Sequence, residues 1–168
     1  MKSRKPLLKQ DLSKKEIPAY ARLNYKGVVT MLKLIIGKKG SGKTKKLIDA
    51  VTAAADSSNG NVVCIEKGDT LTYNITHRVR LIDADHYGVK GYDAFYGFLC
   101  GICAGNYDVT HICVDAILRI CDRDYDALAS FFAKVVELSK ESSTEFIFTV
   151  SADESELPAI ILEMAEKI

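Results

Sequence analysis

The sequence predicts a three-layer α/β domain, with about five mainly parallel strands and helices on both faces of the sheet. Two observations predict this fold class. Short apolar runs, typical of buried strands, alternate along the chain with longer segments of helical periodicity. A glycine-rich stretch also joins the first apolar run to the first helical segment. Because parallel strands need crossover connections, this alternation indicates a sheet covered by helices on both faces.

Each predicted strand is a short apolar run bounded by turn residues. Five such strands are predicted: residues 31–36, 61–66, 78–83, 109–117 and 144–152. Residues 67–77, between the second and third strands, are polar with alternating β-branched residues. That pattern predicts a small hairpin or a loop.

The helices are predicted from apolar residues that recur at helical spacing. Four are expected: residues 43–56, 91–106, 124–142 and 156–168. The helix over 124–142 is clearly amphipathic, since Leu128, Phe132 and Val135 fall on one stripe. In the closing helix, Pro158 is expected in the first turn, where proline is tolerated.

The first 30 residues differ in charge from the rest of the chain. They carry eight Lys or Arg and two Asp or Glu, against 15 and 20 in residues 31–168. The mildly acidic remainder argues against nucleic acid as the main partner. We therefore divide the chain into a basic, flexible N-terminal extension, 1–30, and a single folded domain, 31–168. Lys26, Gly27 and Val28 can be encoded by a purine-rich ribosome-binding sequence before Met31, so a start at Met31 and a genuine basic arm are both open.

No apolar run approaches the roughly 20 residues that a membrane-spanning helix needs. The N-terminus lacks the apolar segment and cleavage site of a secretory signal. Five cysteines form no evident disulfide framework, which favours reduced thiols. We expect a cytoplasmic protein with no membrane partner.

The most informative motif is a glycine loop between the first strand and the first helix. Its residues match the pattern G-x-x-x-x-G-K-[ST], and all are predicted to bind a nucleotide: Gly37, Lys38, Lys39, Gly40, Ser41, Gly42, Lys43 and Thr44. Glycines let backbone N–H groups turn inward around phosphate oxygens, and the helix N-terminus adds positive charge. Lys43 is expected to reach the β- and γ-phosphates, and Thr44 to hold Mg²⁺.

With this loop, the chain resembles the P-loop nucleoside triphosphatases and their Walker A motif. The apolar strand THICVDA ends in Asp115 and resembles their Walker B motif. The resemblance implies that Asp115 binds Mg²⁺, directly or through water, beside Thr44. ATP and Mg²⁺ are therefore the expected ligands. No guanine-reading N-K-x-D is present, which favours ATP over GTP.

The catalytic residue is harder to assign. Many ATPases of this family place a glutamate directly after the Walker B aspartate, but this chain has Ala116 there. RecA-like ATPases place it at the end of the strand that follows the P-loop helix, and Glu66 occupies the matching position. The resemblance implies that Glu66 orients a water for attack on the γ-phosphate. The alternative is a solvated strand end.

Several branches of the family share this layout. The arrangement resembles thymidine kinase and the ATP:corrinoid adenosyltransferases, but this chain has DA instead of the kinase's DE and no zinc-binding cysteine set. The chain most resembles short bacterial ATP-binding proteins sometimes labelled PilT-like. Only Walker A and the Walker B candidate match the pilus-retraction motor, so we do not infer a role in motility for this chain.

Three polar clusters near predicted strand ends are lesser candidates. Asp83, Asp85 and His86 follow the third strand and either bind a second substrate or form a surface turn. Ser151 and Asp153 end the fifth strand, where a polar residue can sense the γ-phosphate. After the fourth strand, two arginines are candidates for an arginine finger or for surface ion pairs with Asp122, Asp124 or Asp126: Arg119 and Arg123.

These residues predict a Mg²⁺-dependent ATP-binding protein with slow ATPase activity. Two alternatives remain open. One is a transferase that moves phosphoryl or adenosyl to a small acceptor, and the other is a non-catalytic module whose bound ATP controls an unknown protein partner. RecA-like relatives often complete their sites across subunits, so a homo-oligomer is also an open alternative.

Overall fold

A computed structural model of the protein describes residues 31–168 and contains one six-stranded sheet in which every strand pairing is parallel. In chain order the strands are β1 Leu32–Ile36, β2 Asn61–Glu66, β3 Val79–Asp83, β4 Val109–Val114, β5 Glu145–Val150 and β6 Glu166–Lys167. Their order across the sheet is β3-β2-β4-β5-β1-β6. The predicted fold class is therefore confirmed. The N-terminal extension lies outside the described residues, so the expectations about it stay predictions.

Helices cover both faces of the sheet. They are α1 Lys43–Ser57, α2 Tyr92–Gly105, the short α3 Ile117–Ile120, α4 Tyr125–Ser142 and α5 Ala159–Met164. Helix α1 packs Leu47, Val51 and Ala54 into a core on one face. Helices α2 to α5 pack into a larger core on the other face, which includes Phe95 and Phe131. Among residues 31–168, no helix is long and apolar enough to cross a membrane.

The register of the strands aligns three polar side chains. On β2, β4 and β5, the residues Cys64, Cys113 and Ile147 all belong to the core beneath α1. Because side chains alternate between faces along a strand, the residues two positions further on project to that same face. These residues are Glu66, Asp115 and Thr149. They lie at the carboxyl ends of neighbouring parallel strands, where the ligands of open α/β sheets bind.

The structure corrects the end of the fourth strand and decides between the two alternatives for residues 67–77. The fourth strand was predicted to run to residue 117 but ends at Val114, because Ala116 has left-handed backbone angles that cannot continue a strand. Residues 67–77 form the loop alternative of the prediction, with hydrogen-bonded turns in which Asn74 and Ile75 both donate to the Leu71 carbonyl.

The predicted closing helix over 156–168 is wrong in extent. A 3₁₀ turn at Glu154–Glu156 comes first, Pro158 precedes α5 as its N-cap, and α5 is only six residues long. The chain then returns to the sheet as β6, which pairs with β1 beside Lys33 and Leu34. Two residues are too few to show the alternation of apolar and polar residues by which a strand is recognised, so β6 could not be predicted from the sequence.

Candidate nucleotide-binding site

The loop between β1 and α1 is fixed by its backbone. Gly40 and Gly42 both have φ of 83°, a region that residues with a side chain rarely adopt. The Gly37 N–H donates to the Val150 carbonyl at 3.2 Å, and the Ser41 N–H donates to the Lys38 carbonyl at 3.1 Å. The loop is thus held against β5 and closed by its own turn.

The first turn of α1 offers free donors at the end of this loop. The helix has no side-chain cap, and its first hydrogen bond runs from the Lys46 N–H to the Gly42 carbonyl at 3.1 Å. The N–H groups of Lys43, Thr44 and Lys45 consequently have no partner inside the helix. Together with the positive end of the helix dipole, these groups form a site for an anion.

Lys43 is a buried cation within this anion site. Its residue is 7% exposed, and its ammonium donates one hydrogen bond, to the Lys38 carbonyl at 2.8 Å. It has no carboxylate partner in an ion pair among residues 31–168. Burial lowers the pKa of Lys43, and the negative charge of Asp115 opposes that shift. An ammonium has three donors, so a triphosphate would satisfy donors that the protein leaves unused.

Asp115 and Thr44 face each other beside this lysine. Thr44 Oγ1 lies 3.4 Å from Asp115 Oδ1 and 3.5 Å from Asp115 Oδ2. No cluster of three or more His, Cys, Asp or Glu suited to a metal occurs in the described part of the chain. Mg²⁺ is usually held by one or two carboxylates together with phosphates and waters, rather than by an all-protein cage. The pair of oxygen ligands therefore fits Mg²⁺ that arrives with a nucleotide.

Thr149 is a site residue that the sequence did not indicate. It is 1% exposed, and its Oγ1 lies 2.8 Å from Asp115 Oδ1. The same oxygen accepts the Ala116 N–H at 2.6 Å. The sequence instead indicates Ser151 and Asp153 as polar residues near the γ-phosphate, because they end the apolar run. Only the strand order, which puts β5 beside β4, identifies Thr149 as the neighbour of Asp115.

Glu66 lies in the same row but is held by the loop that follows it. It is 2% exposed, accepts the Thr70 hydroxyl at 2.7 Å and accepts the Leu71 N–H at 3.1 Å. The alternative of a solvated strand end is therefore wrong. The pairing of Ile65 with Val114 places the backbones of Glu66 and Asp115 side by side on adjacent strands, which in any sheet are about 5 Å apart. Its carboxylate oxygens are bonded to the loop that follows β2.

Ala116 has a left-handed backbone, with φ of 53° and ψ of 54°. This conformation is uncommon for any residue other than glycine, asparagine or aspartate. Here it is stabilised by the hydrogen bond from the Ala116 N–H to Thr149. The residue after Asp115 is therefore in a tight turn in this chain.

Lys38 and Asp153 form an ion pair at the edge of the loop. Their charged atoms are 3.0 Å apart. The Lys38 hydrogen bond is the main reason that the pKa of Asp153 lies below its ordinary value. Asp153 also accepts the Ser155 N–H and starts the 3₁₀ turn after β5. Lys38 therefore brings less net positive charge to the loop than the sequence alone indicated.

The cluster after β3 forms a surface turn. Asp83 accepts the N–H groups of Gly68 and Asp85, each at 2.9 Å, and these bonds lower its pKa. Asp85 pairs with Lys67 at 3.7 Å. These bonds connect the loops after β2 and β3, and binding of a second substrate there stays a prediction.

The arginines after β4 do not form the predicted ion pairs. Arg119 and Arg123 are exposed and have no carboxylate partner within residues 31–168. Asp124, one of the expected partners, instead caps α4 by accepting the N–H groups of Asp126 and Ala127.

No protein-family model matches the chain, and no curated protein matches it significantly. Among solved structures, it is similar to the flagellar accessory protein FlaH from Methanocaldococcus jannaschii, with a TM-score of 0.49 and 18% identity over 79% of this chain and 67% of that one. It is also similar to PCH-2 from C. elegans, with a TM-score of 0.46 and 14% identity over 89% of this chain and 39% of that one. These TM-scores and sequence identities are too low to support a statement about the activity, ligand or partner of this chain.

Proposed function

We propose that this chain is a Mg²⁺-dependent, ATP-binding P-loop protein with slow ATPase activity. The observation that carries the proposal is Lys43, a buried lysine beside the uncapped start of a helix, whose ammonium has a single hydrogen-bond partner among residues 31–168, the Lys38 carbonyl. An isolated buried charge is costly unless a partner compensates it. A bound triphosphate is the partner that the surrounding N–H groups also favour.

Each residue of the site has a role in this proposal. The loop N–H groups and Lys43 bind the β- and γ-phosphates, and Thr44 and Asp115 would hold Mg²⁺, which neutralises phosphate charge when bound. Glu66 accepts a proton from a water and orients that water toward the γ-phosphate. Its position beside Asp115 supports this role.

The bonds of Glu66 support slow turnover. Its oxygens accept the Thr70 hydroxyl and the Leu71 N–H. An ionised carboxylate has about four lone-pair positions, so Glu66 would orient a water through those that Thr70 and Leu71 leave. The two bonds restrict the direction in which the carboxylate can turn toward that water, which is the reason that slow turnover is proposed.

Calorimetric titration with ATP and Mg²⁺ tests the proposal. The wild type is expected to bind ATP, and Lys43→Ala to bind at least about tenfold more weakly, since a charge-assisted bond is lost. Lys46→Ala is the matched control, because Lys46 is an exposed lysine of the same helix. Equal affinity in the wild type and Lys43→Ala would contradict the proposal.

A second candidate function is favoured by the same bonds of Glu66. If nucleotide binding draws the carboxylate away from Leu71, the Leu71 N–H loses its acceptor and the loop over 67–77 changes conformation. The protein would then act as a nucleotide-dependent interaction module without catalysis. Tight ATP binding with no phosphate release, together with ATP-dependent exchange of the Leu71 amide hydrogen, would favour this function over hydrolysis.

A further inference from the structure

We infer that Thr149 is a positioning residue that fixes the orientation of the Asp115 carboxylate for a divalent cation. The inference rests on the proposed function. The inference goes beyond the proposed function because it names the side chain that orients the metal-binding carboxylate. Thr149 belongs to a third strand, β5, and is separate from both Walker motifs.

The direction of each hydrogen bond at Thr149 is determined by its partners. The Ala116 N–H can only donate, so Thr149 Oγ1 accepts at 2.6 Å. The one hydroxyl hydrogen of Thr149 then points to Asp115 Oδ1, 2.8 Å away. Asp115 Oδ1 is held by this bond, whereas Oδ2 has only the longer contact with Thr44, at 3.5 Å.

This arrangement leaves one carboxylate oxygen for the cation. A carboxylate rotates about its terminal bond unless its partners hold it. Here Oδ1 is bonded inside the sheet, and Asp115 is 8% exposed, so the plane of the group is set. Partners of this kind raise metal affinity by orienting the ligand, and their loss typically costs 10- to 100-fold.

Two substitutions separate orientation from simple packing. Thr149→Val keeps the side-chain shape but removes the donor to Asp115 and the acceptor for Ala116. Thr149→Ser restores both groups without the methyl. The matched control is Thr144→Val, because Thr144 is also a 1% exposed threonine, and its hydroxyl bonds the Val109 carbonyl at 3.0 Å at the opposite end of β5.

The measurement is the ratio of ATP affinity with saturating Mg²⁺ to ATP affinity in EDTA. We expect Thr149→Val to reduce this ratio roughly tenfold, with the EDTA affinity unchanged within about twofold. Thr149→Ser is expected to recover most of the ratio, and Thr144→Val to keep the wild-type value. In the nucleotide-free protein, the Ala116 amide proton resonance should move upfield in Thr149→Val and return in Thr149→Ser.

The possible outcomes are distinguishable. A wild type that binds no ATP overturns the proposed function and this inference with it. A wild type that binds ATP, with the same Mg²⁺ ratio in Thr149→Val, overturns this inference alone. An equal loss of the ratio in Thr149→Val and Thr144→Val also overturns it, because general destabilisation then explains the effect.

Discussion

Thr44 Oγ1 lies 3.4 Å from Asp115 Oδ1, although the two residues are 71 positions apart in the chain. Thr44 is brought there by the first turn of α1, and Asp115 by the carboxyl end of β4. Strand β5, which separates β1 from β4, contributes Thr149 to the same group. The site is therefore assembled by the order of the strands, and its consequences for metal and nucleotide binding can be measured.

The first prediction concerns Asp115→Asn. Removing the negative charge should abolish most of the gain in ATP affinity that Mg²⁺ provides, by roughly 10- to 100-fold, because a neutral amide is a poor Mg²⁺ ligand. In EDTA the affinity should stay equal or rise, since a negative charge beside the phosphates is gone. Calorimetry under both conditions measures this, and Asp49→Asn on the exposed side of α1 is the control. A Mg²⁺ gain that persists in Asp115→Asn would remove Asp115 from the site.

The second prediction separates binding from folding at Lys43. In the nucleotide-free protein, Lys43→Met should leave the free energy of unfolding unchanged or raise it by up to about 2 kcal/mol, since a buried and unpaired charge is replaced by an apolar chain of similar length. ATP affinity should fall in the same variant. Urea denaturation with and without ATP measures both. A variant that is clearly less stable without nucleotide would show that Lys43 supports the fold.

The third prediction is the pH dependence of ATP binding. The pKa of Lys43 lies below the ordinary 10.5 in the free protein because of burial, and a bound triphosphate favours the charged form. The complex therefore binds more protons than the free protein, and affinity should fall as the pH rises through the lowered pKa. At a pH between this lowered pKa and the ordinary 10.5, where the phosphates are fully ionised, calorimetry in buffers of different ionisation enthalpy should detect proton uptake. Lys43→Arg should show no proton uptake on ATP binding. A wild type that also takes up no protons would contradict the prediction.

The fourth prediction concerns Glu66→Gln. Hydrolysis should fall by roughly 10²-fold or more, because an amide cannot accept the proton of the attacking water. ATP affinity and folding should change little, since the amide oxygen still accepts the Leu71 N–H. Steady-state phosphate release and calorimetry measure the two effects. Asp69→Asn, three residues along the same loop, is the control, and undiminished hydrolysis in Glu66→Gln would assign the base elsewhere.

The fifth prediction concerns the turn at Ala116. Ala116→Glu should not increase hydrolysis, because a left-handed backbone directs the side chain differently from the extended strand end. It should also be less stable than Ala116→Gly, which removes a strain of about 1 kcal/mol. Ser143→Gly is a matched control with the same φ of 53° far from the site. Faster phosphate release by Ala116→Glu would show that the turn adapts.

The sequence predicted what depends on local pattern. The glycine loop, the start of α1 and the strand before Asp115 each have a signature within a few residues; α1 and β4 begin where they were expected, although β4 ends earlier. Helix α4 follows its apolar stripe over Tyr125–Ser142 for the same reason.

What the sequence did not predict depends on contacts between distant segments. Thr149 belongs to no recognisable sequence motif, and its proposed role follows from the position of β5 beside β4. The bonds of Glu66 depend on how the loop folds back to present the Leu71 N–H. Ala116 is an ordinary residue in sequence, and only a tertiary hydrogen bond stabilises its unusual backbone.

The most direct test of the central claim is a crystal structure with a non-hydrolysable ATP analogue and Mg²⁺. The account predicts that the β- and γ-phosphates lie in the loop over residues 37–44 and that the Lys43 ammonium, now 2.8 Å from the Lys38 carbonyl, bonds phosphate oxygens. Mg²⁺ should lie between the γ-phosphate and the pair formed by Thr44 and Asp115. An analogue bound elsewhere, or a loop that stays empty at saturating concentration, would contradict the account.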